Sequence, residues 1–160
     1  MKLTLELKDD ALQRKLAEIE LRIGSLTPAL TKLGEVFVKE TRQNIEKSVD
    51  WAGRPLAPNA PTTLLFKRGN KPLKDTGQFQ EHLAFTLQGA STVAIRTAKP
   101  QSAVLQFGAK KGAFGKTRRG APIPWGDIPA RPFFPDDEQA RQTATQILLR
   151  YLNDAMDATK

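Results

Sequence analysis

The segment HLAFTLQGASTVAIRT, residues 82–97, decides the fold class of this chain. Two runs of strand-forming residues, at 82–87 and 92–97, flank the short link QGAS at 88–91. β-branched and aromatic residues on both sides of a glycine-containing link are typical of a β-hairpin. The sequence therefore predicts one antiparallel strand pair in the middle of the chain, and the neighbouring segments are interpreted around it.

The N-terminal third predicts a strand followed by two helices. Leucines alternate with polar residues over residues 2–8, which indicates a strand with one buried face. Asp9 or Asp10 can cap a first helix that ends near Gly24. Thr27 and Pro28 predict the start of a second helix that runs to about residue 49. The apolar stripe of this second helix consists of Leu30, Leu33, Phe37, Thr41 and Ile45.

The rest of the chain predicts long loops and a closing helix. Proline, glycine and asparagine interrupt residues 51–77, and a short apolar run at 103–107 is compatible with a strand or with a helical turn. Acidic residues at 136–138 suit a helix N-terminus, and apolar residues follow at helical spacing up to Met156. Together the patterns predict an α/β fold of the α+β type, with a small, mainly antiparallel sheet, two or three packed helices and long extended loops. The length of 160 residues is expected to form a single domain.

Charge is concentrated in the middle of the chain. The net charge of +8 divides into zero for residues 1–50, +10 for residues 51–135 and −2 for residues 136–160. A glycine-rich segment at about 109–127 lacks apolar periodicity and is expected to form an extended, exposed basic arm. The candidate phosphate-contacting residues of this arm are Lys110, Lys111, Lys116, Arg118 and Arg119. A field of this sign attracts either a phosphate backbone or an acidic protein face.

The sequence offers little for catalysis. It contains no cysteine and one histidine, His82, which lies in a predicted strand, so a histidine-based metal site or a Ser-His-Asp triad would depend on one residue. Gly115-Lys116-Thr117 lacks the preceding glycine that a phosphate-binding loop requires. We expect no enzyme, no cofactor and no metal. The charged N-terminus and the lack of a long apolar stretch predict synthesis in a cytoplasm and no membrane partner.

Four short motifs resemble the phage virion morphogenesis family, the tail-completion or neck proteins of Mu-like tailed phages. They are WAGRPL at 51–56, PLKDTG at 72–77, LQFG at 105–108 and IPARPFF at 128–134. The resemblance covers roughly residues 30–158. One departure is Leu105, because similar proteins often have a histidine at that position. Asp75, Thr76 and Gly77 are interpreted as a structural turn in which glycine supplies the unusual backbone angle before the following strand.

The resemblance implies a structural subunit that joins a homo-oligomeric ring, with six copies as the expected number, at the head–tail junction or tail end. Its expected partners are its own copies and the neighbouring neck, connector or tail-tube proteins, and its expected location is the virion, after assembly in the host cytoplasm. The candidate interface residues are Trp51, Phe107, Ile128, Pro129, Arg131, Pro132, Phe133 and Phe134.

Two questions stay open at the level of sequence. Phe133 and Phe134 suit either the protein's own core or a subunit interface, and Arg131 suits either a carboxylate partner or solvent. The alternative function is nucleic-acid binding through the arm at 109–127, which includes nonspecific contact with genomic DNA. Sequence-specific recognition is not expected, because no helix-turn-helix or zinc-finger pattern is present.

Overall fold

The computed structural model describes residues 3–6, 10, 13–14, 17, 21 and 24–157. Its elements are β1 (Leu3–Glu6), α1 (Thr27–Lys47), α2 (Pro61–Leu64), α3 (Gln78–Glu81), β2 (Leu83–Gln88), β3 (Thr92–Thr97), α4 (Ser102–Phe107) and α5 (Asp137–Asp157). This composition confirms the predicted α+β class. Within the described residues, none of the helices combines the length and the apolar character that a membrane crossing requires.

The chain forms two compact units, each made of separate stretches of sequence. The sheet unit comprises the described residues within 4–40, 83–96 and 135–157, and the loop unit comprises Leu3, 41–82 and 97–134. Helix α1 runs through both units, since residues 27–40 belong to the first and 41–47 to the second. The expectation of a single domain stays a prediction.

The sheet has three strands in the order β1-β3-β2. The central strand β3 pairs with a strand on each side, and Val93, Ala94 and Ile95 in it are buried. β2 and β3 form the predicted hairpin, and their bounds differ from the prediction by one residue at β2. β1, at Leu3–Glu6, lies within the strand predicted at residues 2–8, whose remaining residues are outside the described ranges. The helix predicted from Asp9 or Asp10 to Gly24 lies mostly outside the described residues.

Helix α1 confirms the predicted apolar stripe, all five residues of which are buried. It begins at Thr27, and the Ser25 hydroxyl accepts a hydrogen bond from the Thr27 amide at 3.3 Å. Within the sheet unit, Gly34 lets α1 approach the hairpin, because a Cβ at this position would lie 2.3 Å from the Phe85 ring. The helix ends two residues before the predicted boundary, where Ser48 adopts a left-handed backbone with φ 58°.

Helix α5 begins with a capping box. The Asp136 carboxylate accepts a hydrogen bond from the Gln139 amide at 2.8 Å, and the Gln139 side-chain oxygen accepts one from the Asp136 amide at 3.1 Å. Ala140, Ala144 and Leu148 are buried along one side, as the helical spacing predicts. The sequence signal for this helix was therefore correct in position and in face.

The loop unit consists mostly of irregular chain with short helices. The segment 51–77 is largely irregular, as expected, with α2 as its one described helix. The ambiguous run at 103–107 lies in helix α4, which Gly108 ends with φ 74°. The core of this unit includes Ile45, Leu56, Phe79 and Phe133.

Candidate functional site

Asp50 organises the first motif of the loop unit. Its carboxylate accepts hydrogen bonds from the amides of Ala52 and Arg54 at 2.8 and 2.9 Å and from the Arg54 guanidinium at 2.7 Å. Burial alone raises the pKa of Asp50, but these hydrogen bonds outweigh it and lower the pKa below its usual value. The carboxylate is therefore a structural acceptor that holds the turn before Pro55. Sequence reasoning missed this residue, although an aspartate three residues before Gly53 is a recognisable turn signal.

Gln106 joins the third and fourth motifs. Its side-chain oxygen accepts hydrogen bonds from the amides of Phe133 and Phe134 at 3.0 and 3.1 Å. Its amide nitrogen donates to the Phe134 carbonyl at 3.4 Å. Trp51 of the first motif donates its indole N–H to the Phe133 carbonyl at 3.0 Å. Three motifs that are far apart in sequence thus meet at one short stretch of backbone.

Phe133 and Phe134 lie in the interior of the folded chain. Phe133 has an exposed fraction of 0 %, and its ring packs edge-on against Phe79 with 5.0 Å between centroids. The Phe134 ring lies 4.7 Å from the Phe133 ring and is also buried. Of the two placements that the sequence left open, the structure shows the protein's own core. Their side chains offer no surface to a partner.

Arg131 is buried and has a partner that the sequence did not suggest. Its guanidinium donates to the carbonyls of Ala57 at 2.7 Å and Pro58 at 2.6 Å, and its amide donates to the Leu105 carbonyl at 2.7 Å. The sequence left a carboxylate partner and solvent as alternatives. The structure pairs the guanidinium with two backbone carbonyls instead, because the loop at 57–58 exposes acceptors that no helix or strand uses. Desolvation lowers the pKa of Arg131. This arginine connects two loops of the unit.

The Asp75-Thr76-Gly77 motif forms a bend, and its details differ from the prediction. Gly77 has the positive φ of 89° that the motif predicts, but the chain continues into helix α3 before strand β2 starts. The Gly77 carbonyl accepts the amides of Gln80 and Glu81 at 3.0 and 3.2 Å. The Asp75 carboxylate accepts the Arg68 amide at 3.1 Å, so it stabilises the preceding loop.

A cavity of about 760 Å³ opens in the loop unit beside these motifs. Its lining includes Lys67, Leu73, Asp75, Phe79, Leu105 and Arg131. Burial lowers the pKa of Lys67, the nearby Asp75 opposes this shift, and Arg131 adds to it. Among the described residues there is no group of three or more His, Cys, Asp or Glu that could hold a metal ion. His82 is exposed and contacts the Gln78 carbonyl at 2.6 Å, outside the cavity lining.

The basic arm at 109–127, which was expected to be extended, doubles back on itself. Ala109 and Ile128 exchange two backbone hydrogen bonds of 2.9 and 2.7 Å, and Lys116 and Pro122 form a second antiparallel bridge. Glycines with positive φ at 112, 115 and 120 allow the tight turns that bring the two halves together. The arm is therefore a hairpin-like loop whose base is closed by backbone pairing.

The arm is exposed, as predicted, and it carries aromatic as well as basic residues. Phe107 at its base is 71 % exposed, and Phe114 and Trp125 within it are 55 % and 77 % exposed. All five candidate phosphate-contacting residues are exposed. Lys110 pairs with Asp127 at 2.9 Å, which raises the pKa of Lys110 and lowers that of Asp127. Sequence reasoning did not include Trp125 or Phe114 among the interface candidates.

The remaining interface candidates differ in their accessibility. Trp51, Ile128 and Pro132 are partly buried, whereas Pro129 is exposed. Gly108 lies tightly against this segment, because a Cβ there would be 2.7 Å from the Ile128 carbonyl oxygen and 2.9 Å from the Ala130 nitrogen. The residues of the four motifs, at 51–56, 72–77, 105–108 and 128–134, thus form a packed base that is called the platform below. The basic arm extends from this platform.

These features define a small α+β protein with a packed platform and an exposed aromatic and basic arm. Comparison with known families indicates the biological process in which this protein takes part. The chain belongs to the phage virion morphogenesis family, whose model matches residues 7–153. Membership assigns the chain a role in assembly of the phage virion and points to a structural role in a virion-associated protein. Neither the search of curated proteins nor that of solved structures found a match.

Proposed function

We propose that this protein is a structural subunit of a homo-oligomeric ring at the head–tail junction or tail end of the virion, and that its arm carries the contact between neighbouring copies. The observation that carries the proposal is the exposure of Phe107, at the end of α4, and of Phe114 and Trp125, on the arm, in a chain from a virion assembly family. Exposed aromatic side chains that cluster on a surface are typical of protein interfaces.

The rigidity of the arm supports this role. Backbone hydrogen bonds close its base at Ala109 and Ile128, and further bonds join Phe114 to Ile123 at 2.7 and Thr117 to Ala121 at 2.8 Å. A loop that is ordered before binding loses less conformational entropy on association than a disordered one. The contact is therefore between a preformed hairpin and its neighbour.

The ring follows from the kind of contact. An arm that contacts a different surface of the next copy makes a head-to-tail interface, and repeated head-to-tail interfaces either close into a ring or extend into a filament. A position at a tail end or a neck requires the closed form. The neighbouring neck, connector or tail-tube proteins then bind the two faces of the ring, and six copies is the number we propose.

Native mass spectrometry of the purified chain tests the proposal. We expect a discrete closed oligomer for the wild type and a monomer for the triple variant F107A/F114A/W125A. The matched control is L65A/F66A, which removes two side chains of the loop unit that are 79 % and 89 % exposed but lie outside the arm. The control is expected to keep the oligomer.

Two outcomes contradict this proposal. One is a wild-type chain that stays monomeric when mixed with tails or heads that lack this protein. The other is a triple variant that assembles as the wild type does. Antibody labelling of complete virions in the electron microscope then distinguishes the tail end from the head–tail junction.

A further inference from the structure

The tip of the basic arm forms a rigid turn with three uncompensated positive charges. Residues 82–126 contain seven Lys or Arg and no Asp or Glu. Asp127 is the first acid that follows them, and it pairs with Lys110 at the base of the arm. Among the described residues, no carboxylate forms an ion pair with Lys116, Arg118 or Arg119. The positive field at the tip is therefore not neutralised within the described chain.

The backbone of the tip holds these cations in a defined turn. The Gly120 amide donates to the Thr117 carbonyl at 2.9 Å, so Arg118 and Arg119 occupy the two central positions of a β-turn. The Thr117 hydroxyl accepts the Ala121 amide at 3.1 Å, and the Thr117 amide donates to the Ala121 carbonyl at 2.8 Å. Both arginine side chains are exposed. The turn thus presents two adjacent guanidinium groups to solvent.

We propose that Arg118 and Arg119 in this turn, together with Lys116 just before it, bind the phosphate backbone of duplex DNA without reading its sequence. Guanidinium groups donate several hydrogen bonds in a planar arrangement that matches phosphate oxygens. The three cations lie together on one short hairpin. A row of phosphates therefore gives each of them a partner, whereas a single carboxylate does not. These cations are different side chains from the aromatic residues of the proposed ring contact, so DNA binding does not depend on the ring.

The charges of the rest of the chain argue against a second copy as the partner of the turn. In the part of the chain that the structure describes, five carboxylates already pair with the protein's own cations. These pairs are Lys32–Glu35, Arg54–Asp50, Lys71 and Lys74–Glu46, Lys110–Asp127 and Arg141–Glu138. These pairs leave the net charge of +8 unchanged, so a neighbouring copy repels the basic turn overall, whereas DNA offers a continuous row of unpaired phosphates.

Fluorescence anisotropy with a labelled DNA duplex, at two salt concentrations, tests the site. Each phosphate contact contributes about −0.9 to the slope of log K against log salt concentration. With three contacts, the association constant is expected to fall about 40-fold as salt rises from about 50 to about 200 mM. The variant K116A/R118A/R119A is expected to lose this part of the salt dependence. The charge-retaining variant R118K/R119K is expected to keep it.

The matched control is K39A/K47A/R150A, which removes three exposed cations from helices α1 and α5. It has the same net charge as the tip variant and is expected to bind DNA as the wild type does. Circular dichroism checks that all variants fold, and native mass spectrometry of each variant separates a loss of DNA binding from a loss of the ring.

Three results would overturn the inference. The first is a wild-type protein that does not bind the duplex at low salt. The second is an equal loss of binding in the control and tip variants, which would show that net charge alone attracts DNA. The third is competition by polyglutamate as strong as that by DNA at equal charge, which would identify an acidic protein face as the partner.

Discussion

Gln106 shows how one side chain holds distant segments together. A glutamine amide has both donor and acceptor groups, and here it pairs with the backbone of Phe133 and Phe134. Buried backbone groups need such partners, because an unpaired amide away from water costs about 1–3 kcal/mol. The irregular stretch at 133–134 has no strand neighbour, so the glutamine supplies the hydrogen bonds that a strand would otherwise provide.

Gly108→Ala is expected to destabilise the protein strongly. Gly108 has φ 74° and ψ 178°, a conformation that costs a residue with a Cβ about 1–3 kcal/mol. The added methyl group would also meet the Ile128 carbonyl oxygen at 2.7 Å. A thermal melt should show a clear fall in Tm. Gly126→Ala is the control, because nothing lies within 4 Å of a Cβ there, and an equal fall in both variants would contradict the argument.

At the scale of elements, the end of α1 is tied to the loop that follows α2. The Glu46 carboxylate accepts hydrogen bonds from Lys74 at 2.5 Å and Lys71 at 2.9 Å, and these lower its pKa from 4.5 to about 2. Lys71 also donates to the Glu46 carbonyl at 2.9 Å. The helix therefore positions a long irregular loop through one charged side chain and its backbone.

Glu46→Gln is expected to change how stability depends on pH. Because the pKa of Glu46 in the folded chain lies below its usual value, the ionised form stabilises the fold above about pH 4.5. This contribution is lost as pH falls from about 4.5 to about 2. The wild-type Tm should therefore decrease more steeply than that of the variant over this window. The contribution is modest, because solvent screens the pair.

Thermal melts from neutral pH to about pH 2 measure this difference. Glu81→Gln, which removes an exposed carboxylate on α3, is the control and should follow the wild-type curve. Parallel curves of Tm against pH for the wild type and Glu46→Gln would show that the pairing of Glu46 with Lys71 and Lys74 does not stabilise the folded chain.

The sequence predicted the regular elements well and the loop unit poorly. The stripe of α1 and the hairpin were recognisable because periodicity depends on residues that are near in sequence. The partners of Arg131, Gln106 and Asp50 were not, since they depend on backbone groups that no sequence pattern marks. The exposure of the arm was predicted from its charge. Its doubled-back shape was not, because it depends on glycines, and glycine is compatible with many backbone conformations.

For the whole molecule, we expect that the arm can be removed without loss of the fold. Ala109 and Ile128 exchange both backbone hydrogen bonds, which is the pair that closes a two-residue hairpin turn. Replacing residues 110–127 with Asn-Gly should therefore keep Tm close to the wild-type value. The same variant should fail to assemble in native mass spectrometry. An unfolded variant, or one that still forms the oligomer, would contradict the proposed division between platform and arm.

The hydrogen bonds of the platform also determine when the chain can fold during synthesis. Trp51 bonds to Phe133, and Arg131 bonds to Ala57, across separations of 82 and 74 residues. The loop unit is therefore incomplete until more than 130 residues have left the ribosome. A chain that terminates early lacks Phe133 and leaves Phe79 without its aromatic neighbour. Truncated products should aggregate or be degraded, so that only full-length subunits reach the growing virion.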